Sequence, residues 1–121
     1  MKDDRTTIQD LKEEVKVFCE AREWDQFHNQ KDLAIGMVTE ASELLQIFRF
    51  KDQDDIMEIM EDPEYCTMIR DELSDVLYFV LRFAHMNDID LSSSFIEKLR
   101  KNEEKYPEDI SRGSNKKYNE L

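Results

Sequence analysis

The sequence predicts an all-α fold, a four-helix bundle completed by homo-oligomerisation. Only two Gly and two Pro occur among 121 residues, so long stretches contain no helix breaker. Apolar residues recur at spacings of three and four, as on one face of a helix. Two of the predicted helices are apolar on nearly every side. For the second helix this pattern indicates that another subunit covers one side, and a central helix within a single bundle is the alternative with the same pattern. The length fits a single domain over residues 1–121, with an extended C-terminal tail from residue 107.

The first helix is predicted to begin after a cap at Thr6 or Thr7 and to end before the loop at residues 24–28. A spacing of three and four residues predicts one buried stripe along this helix. The stripe comprises the apolar residues Ile8, Leu11, Val15 and Phe18, and Arg22 continues it. The second helix is predicted over residues 32–48, capped by Asn29 or Asp32. It is one of the two helices that are apolar almost all round.

A polar break at residues 51–55 precedes a short helix around residues 56–60, and Asp62-Pro63 ends that helix. The third long helix is predicted over residues 65–86 and is apolar on every side at residues 76–81. The fourth covers residues 91–105 and is more polar, with a narrow apolar seam of Phe95, Ile96 and Leu99. The tail is expected to be extended or only partly ordered.

Charge and composition exclude several classes of protein. The net charge of −12, without a basic stripe, argues against binding of a DNA or RNA polymer. A small anionic substrate is still compatible, because a bound metal can invert the local field. No apolar run reaches transmembrane length and no signal peptide is recognisable, so no membrane partner is expected. Cys19 and Cys66 lack metal-type spacing and are read as unpaired thiols of a cytoplasmic protein.

Two pairs of acidic residues carry the chemistry. Glu40 and Glu43 stand three residues apart in the second helix, and Glu72 and Asp75 repeat this spacing in the third. Residues three apart share a helix face, so the two helices can surround one or two cations with oxygen ligands only. Such ligand sets suit Mg²⁺ or Mn²⁺. The alternative from the residues alone is that these acids are ordinary surface charges.

Other kinds of catalytic centre are poorly supported. A di-iron bundle requires Glu-x-x-His on two helices, whereas no His follows any of the four acids at that spacing. The two histidines, His28 and His85, lie elsewhere. No Gly-framed serine elbow and no P-loop occurs.

The ordered acidic pairs resemble the signature of the all-α MazG-like nucleoside triphosphate pyrophosphohydrolases. Arg22-Glu-Trp-Asp-Gln-Phe-His28 resembles a segment of the small dCTP pyrophosphatase branch. So do Lys98-Leu-Arg-Lys-Asn102, Lys105-Tyr-Pro107, Ser111-Arg-Gly-Ser114 and Lys117-Tyr118, which brings the resemblance to about residues 8–118.

The resemblance implies Mg²⁺-dependent hydrolysis between the α- and β-phosphates of a (d)NTP, giving (d)NMP and pyrophosphate for nucleotide-pool house-cleaning. It also implies a homodimer or homotetramer. The metal ligands would be Glu40, Glu43, Glu72 and Asp75, with Glu43 and Glu72 catalytic and Glu43 the preferred general base. The substrate-binding residues would be Trp24, Asp25, Gln26, Phe27, His28, Phe50, Phe79, Lys98, Asn102 and Tyr106.

At three positions this sequence departs from the animal members of the branch. Those members have Trp where this chain has Phe50, Tyr where it has Phe79, and His where it has Val15. Phe50 and Phe79 keep a stacking face but lose a polar group. We therefore expect a dCTP preference, with a broader dNTP range that includes dATP left open. Two alternatives to an enzyme are a non-catalytic nucleotide-binding regulatory module and a structural helical interaction protein.

Overall fold

A computed structural model describes residues 1–121 and contains helices but no strands, which confirms the predicted all-α class. The helices are α1 (Ile8–Ala21), α2 (Gln30–Phe48), α3 (Gln53–Glu61), α4 (Pro63–Met86), α5 (Leu91–Lys105) and α6 (Glu108–Ser111), followed by a 3₁₀ turn at Tyr118–Glu120. None of the helices has the length and apolar character needed to cross a membrane. The chain forms two compact units, Met1–Asp88 and Ile89–Leu121. The single domain expected over residues 1–121 stays a prediction.

Side-chain caps explain where the helices of the first unit begin. Thr7 caps α1, because its hydroxyl accepts from the Asp10 amide while the Asp10 carboxylate accepts from the Thr7 amide. Asn29, one of the two predicted caps, begins α2. The predicted start of the short helix was wrong by three residues, because Asp52 forms a capping box that starts α3 at Gln53.

The core of the first unit lies where α2 and α4 pack together, the most extensive helix contact of the molecule. Leu33 and Ile47 from α2 are buried, as are Leu81 and Ala84 from α4. The opposite side of α2 is open to solvent in the single chain. Its exposed apolar side chains are Ile35, Val38 and Leu45.

The buried stripe predicted for α1 was partly wrong. Val15 is buried as expected, but Phe18 is 43% exposed and Cys19 is fully buried in its place. The helix is therefore rotated slightly from the predicted orientation, which turns Phe18 towards a cavity described below. Cys19 and Cys66 are both free thiols, as predicted.

The second unit consists of α5, α6 and the 3₁₀ turn. The predicted seam of α5 is exposed, with Phe95, Ile96 and Leu99 all more than two-fifths accessible. The Tyr106 and Tyr118 rings meet edge to face with centroids 6.3 Å apart, which ties the end of α5 to the tail. The tail predicted as extended thus contains two short helical turns.

Candidate active site

Three carboxylates from α2 and α4 converge in the first unit. One oxygen each from Glu40, Glu43 and Glu72 lies within 4.8 Å of the others. The spacing of three places Glu40 and Glu43 on one face of α2, and the packing of α4 on α2 brings Glu72 to that face. The location of the four acids within apolar stretches of helix predicts that all of them are buried, whereas Glu40 and Glu72 are half-buried and Glu43 and Asp75 are exposed.

The surroundings of this cluster favour carboxyl groups that are protonated or bound to a cation over ionised carboxylates without a partner. Oε2 of Glu40 and Oε2 of Glu72 are both buried without a hydrogen-bond partner. Burial, reinforced by the neighbouring Glu43, raises the pKa of Glu40 to about 7. The same two causes raise the pKa of Glu72. Unpartnered buried oxygens in an all-oxygen set are the donors that a hard divalent cation requires, so these residues fit the predicted metal.

Asp75 stands apart from the three converging acids. Its carboxylate is not a member of the group within 4.8 Å. It is close enough that its negative charge contributes to the raised pKa values of Glu40 and Glu72. Its role as a fourth ligand stays a prediction.

A cavity of about 770 Å³ adjoins the cluster and has a mostly aromatic and apolar wall. This volume is in the range of small-ligand pockets. Its lining residues are Glu14, Val15, Val17, Phe18, Trp24, His28, Glu40, Asp75, Tyr78 and Phe79. Trp24 stands between two rings, 5.7 Å from Phe18 and 5.9 Å from His28, both edge to face. The cavity therefore offers aromatic surface next to a group of acids.

Gly36 shapes the wall opposite α1. A Cβ on this residue would lie 2.4 Å from the ring of Phe79, closer than any normal contact. The glycine lets the Phe79 ring rest against the backbone of α2, which explains a helix-destabilising residue in the middle of an apolar helix. Phe79 in turn packs edge to face on Tyr78 at 5.0 Å.

The structure brings some of the predicted substrate-binding residues to the cavity and places others elsewhere. Trp24, His28 and Phe79 line it. Phe27 and Phe50 are 63% and 90% exposed and are absent from its wall. The Phe50 ring instead lies beneath the Arg49 guanidinium, 4.6 Å from ring centroid to Cζ.

Polar residues of the loop at 24–28 are hydrogen-bonded within the protein, one to a neighbour in the chain and one to α4. Gln26 donates from Nε2 to the Glu23 carbonyl, and Asp25 accepts from Arg82. The remaining predicted residues belong to the second unit: Lys98 is exposed, Asn102 is half-buried and Tyr106 is 40% exposed. Their contact with substrate stays a prediction.

Sequence reasoning missed Arg82 and Gly36. Arg82 is 1% exposed and interrupts the apolar run of α4, so a lone basic residue within that run was the available indication. Gly36 is the only glycine inside a helix, and such a glycine often marks a close approach.

Comparison with known proteins places the chain among nucleotide-processing relatives. Residues 35–121 match the MazG-like family. The chain is 32% identical over 115 residues to dCTP pyrophosphatase 1 of Mus musculus and 30% identical to that of Homo sapiens, with 95% of this chain and 68% of each relative covered. A pyrophosphatase from Archaeoglobus fulgidus superposes with a TM-score of 0.77 at 28% identity, covering 88% of this chain and 98% of that one. The resemblance predicted from the acidic pairs is confirmed, and the chain belongs to the MazG-like family.

Proposed function

We propose that this MazG-like enzyme hydrolyses the bond between the α- and β-phosphates of a nucleoside triphosphate. Water adds across that bond, so the products are a nucleoside monophosphate and pyrophosphate. The observation that carries the proposal is the convergence of Glu40, Glu43 and Glu72 beside an aromatic cavity. The acids suit a cation that accompanies a triphosphate, and the cavity suits a base.

The proposed cofactor is Mg²⁺, with Mn²⁺ as a second fit. Glu40, Glu43 and Glu72 would hold it, with Asp75 as a further ligand. The all-oxygen donors and the two unpartnered buried oxygens support this assignment. When bound, such a cation supplies positive charge against the triphosphate oxygens and Lewis acidity at the reacting phosphate.

We assign the proton-accepting role to Glu43. It is the exposed member of the three, so its carboxylate remains accessible to a water molecule that enters from solvent. Glu43 would accept the proton of the attacking water, and Glu72 would act in catalysis by holding the cation with its carboxylate. General-base assistance of this kind contributes about 10²–10⁴-fold to a rate.

The proposed substrate is dCTP or a related dNTP. The names of the mammalian relatives support dCTP, and the cavity supports stacking of a base on Trp24 or Phe79. Val15 and Phe79 offer no polar atom to read the base edge, which supports a range extending to dATP. Lys98 and Asn102 are proposed as contacts to the phosphate oxygens, and Tyr106 is proposed as a further substrate contact.

A homodimer or homotetramer is proposed because α2 exposes Ile35, Val38 and Leu45, with Val38 71% accessible. Covering this face would bury apolar area that a monomer leaves in water. Light scattering during gel filtration tests this proposal, and a monomeric mass contradicts it.

The two free thiols support a reducing, cytoplasmic setting, and nucleotide-pool house-cleaning is the proposed role there.

The decisive experiment is incubation with each dNTP and Mg²⁺ in ¹⁸O-water, followed by mass analysis of the products. We expect monophosphate and pyrophosphate, with the position of the label showing which phosphorus is attacked. Diphosphate and phosphate, or no turnover, would contradict the proposal. Glu13→Gln, an exposed change on α1 outside the cavity, is the matched control for substitutions in the cluster.

A further inference from the structure

Arg82 is a charged side chain with no access to solvent. It lies on α4 with 1% of its surface exposed, next to buried Leu81. An isolated guanidinium in such a position is strongly unfavourable unless its hydrogen bonds are satisfied. Because it does not reach the cavity wall, Arg82 cannot touch a ligand there and must act through its neighbours.

Three acceptors surround the guanidinium, one for each nitrogen. Nη2 donates to Oδ1 of Asp25 at 2.5 Å, and Nε donates to Nδ1 of His28 at 2.8 Å. Nη1 lies 2.9 Å from Nε2 of His85, one turn further along α4. Arginine has no acceptor, so both imidazoles must be neutral and must present an unprotonated nitrogen to it.

Two of these acceptors, Asp25 and His28, belong to the loop at residues 24–28 and follow Trp24 in the chain. The loop leaves α1 through Glu23, whose φ of 55° is a strained value for a residue with a side chain. Beyond that point its backbone holds only short-range bonds, such as Phe27 N–H to the Trp24 carbonyl at 2.9 Å. Arg82 is therefore the long-range polar attachment that the loop makes to α4.

Fixing Asp25 and His28 also fixes Trp24. The Trp24 ring is in edge contact with His28 and with Phe18 of α1, and Trp24 and His28 both line the cavity. A loop released from α4 would remove this part of the wall. One oxygen of Asp25, which the resemblance predicts to bind substrate, accepts from Arg82, and its contact with substrate stays a prediction.

We propose that Arg82 is a positioning residue, which holds the loop at 24–28 against α4 so that Trp24 forms the aromatic wall that receives the base. This inference rests on the proposed function for its substrate, but the attachment itself is a property of the free protein. Arg82 has this effect because a planar guanidinium can serve three separate acceptors at once, whereas a lysine ammonium cannot reach all three.

The attachment should weaken in acid, since an imidazolium can no longer accept from Arg82. Burial first, and then the Arg82 charge, lowers the pKa of His28 and of His85 below the ordinary 6.5. Both rings are thus neutral in the folded protein near pH 7. The other charged groups facing the two rings are Asp25, Asp32, Lys16 and Glu20.

Trp24 is the only tryptophan, so its fluorescence reports on the loop without turnover. The test compares the full-length wild type with Arg82→Lys, Asp25→Asn and the control Arg70→Lys, an exposed arginine on the same helix. We expect acrylamide to quench Trp24 fluorescence more strongly in Arg82→Lys and Asp25→Asn than in the wild type, and Arg70→Lys to match the wild type. We also expect KM for the best dNTP to rise about 10–100-fold, with kcat changing much less, because the wall is displaced while the acids remain. In wild type, quenching should rise as pH falls below 6.5.

The proposal is overturned if folded Arg82→Lys and Asp25→Asn match Arg70→Lys in quenching and KM. Greater quenching with unchanged KM also overturns it, because the loop would then move without consequence for the substrate. If Arg82→Lys fails to fold, Asp25→Asn decides by the same two readouts, since Asp25 is half-exposed on the loop. If wild type turns over no nucleotide, the proposed function fails and the quenching comparison alone decides whether Arg82 holds the loop.

Discussion

The acid cluster and the Arg82 network are two sets of charged groups in one helical unit, and they are built on opposite rules. Around Arg82, a buried positive charge meets three acceptors and every guanidinium nitrogen is used. Around Glu40 and Glu72, charges of one sign converge and two buried oxygens have no partner. A satisfied network stabilises a conformation, whereas buried oxygens of one charge type without a protein partner fit a positive ligand. The comparison separates residues that stabilise the fold from those proposed to bind the cation and to do the chemistry.

The largest expected effect comes from neutralising the acid cluster. Glu43→Gln and Glu72→Gln should each lower kcat by about 10²–10⁴-fold, because an amide neither accepts the proton nor binds the cation as a carboxylate does. Helix content by circular dichroism should stay unchanged, as it should for the control Glu13→Gln. Near-normal turnover in either cluster variant would show that the acids are only surface charge.

The second prediction concerns the binding of Mg²⁺ by the acid cluster. Adding Mg²⁺ at about 100 times its Kd should stabilise the wild type by about 2.7 kcal/mol, since only the folded state assembles the three carboxylates. Glu72→Gln should lose this gain while the Arg82 network keeps the fold intact. The measurement is a thermal melt with and without Mg²⁺. An equal Mg²⁺ effect in both proteins would place the cation elsewhere.

A third prediction concerns the cavity wall, which is lined by Glu40 of the acid cluster and by His28 of the Arg82 network. Gly36→Ala should force the Phe79 ring to shift, because the new Cβ would lie 2.4 Å from it. The overpacking cost of about 1–3 kcal/mol outweighs a gain in helix propensity of about 1 kcal/mol. Chemical denaturation should therefore show a small net loss, and KM should rise. Ala34→Gly, an exposed position on the same helix, provides the propensity control.

The smallest expected effect is on the way in which the free energy of unfolding depends on pH. The pKa of Glu40 is raised from 4.5 to about 7, so folding favours its protonated form. Without metal, the stability from this group is present below pH 4.5 and is lost as pH rises through about 7. The lowered pKa values of His28 and His85 act oppositely, since their contribution is present above 6.5 and is lost as pH falls.

Metal-free unfolding measured against pH separates these two contributions. Glu40→Gln should reduce the loss of stability that occurs as pH rises towards about 7, leaving the part that comes from the raised pKa of Glu72, while the acid-side loss from the histidines is kept. A profile identical to the wild type would mean that Glu40 is ionised in the free protein. Addition of Mg²⁺ to wild type should also flatten the Glu40 part of the profile, because the cation takes the place of the proton.

Local chemistry explains why much of the fold was predictable. Thr7 and Asn29 are predicted caps whose effect depends only on their immediate neighbours, and α1 and α2 begin beside them. Asp62-Pro63, predicted to end the short helix, does so and also begins α4. The spacing of Glu40 and Glu43 is likewise a local property, so their shared face could be read directly. Predictions of this kind need no tertiary information.

The parts that escaped prediction depend on contacts distant in the chain. Arg82 meets partners 54 and 57 residues away, and no periodicity reveals which loop will satisfy a buried charge. Cys19 replaces Phe18 in the core because of a small rotation of α1 against its neighbours, which depends on packing. The exposure of Glu43 is also a packing result, since sequence places it on a face but not at a depth.

Because the pKa of Glu40 is raised, binding of a cation to the cluster is expected to compete with protonation of Glu40. With its pKa raised to about 7, Glu40 of the metal-free cluster would be partly protonated at neutral pH, and a divalent cation that bound its carboxylate would displace that proton. Cation binding should then release protons into buffer, and affinity should strengthen with rising pH until Glu40 is fully ionised. The fraction of enzyme carrying its metal would thus follow the acidity of its surroundings as well as the supply of the ion.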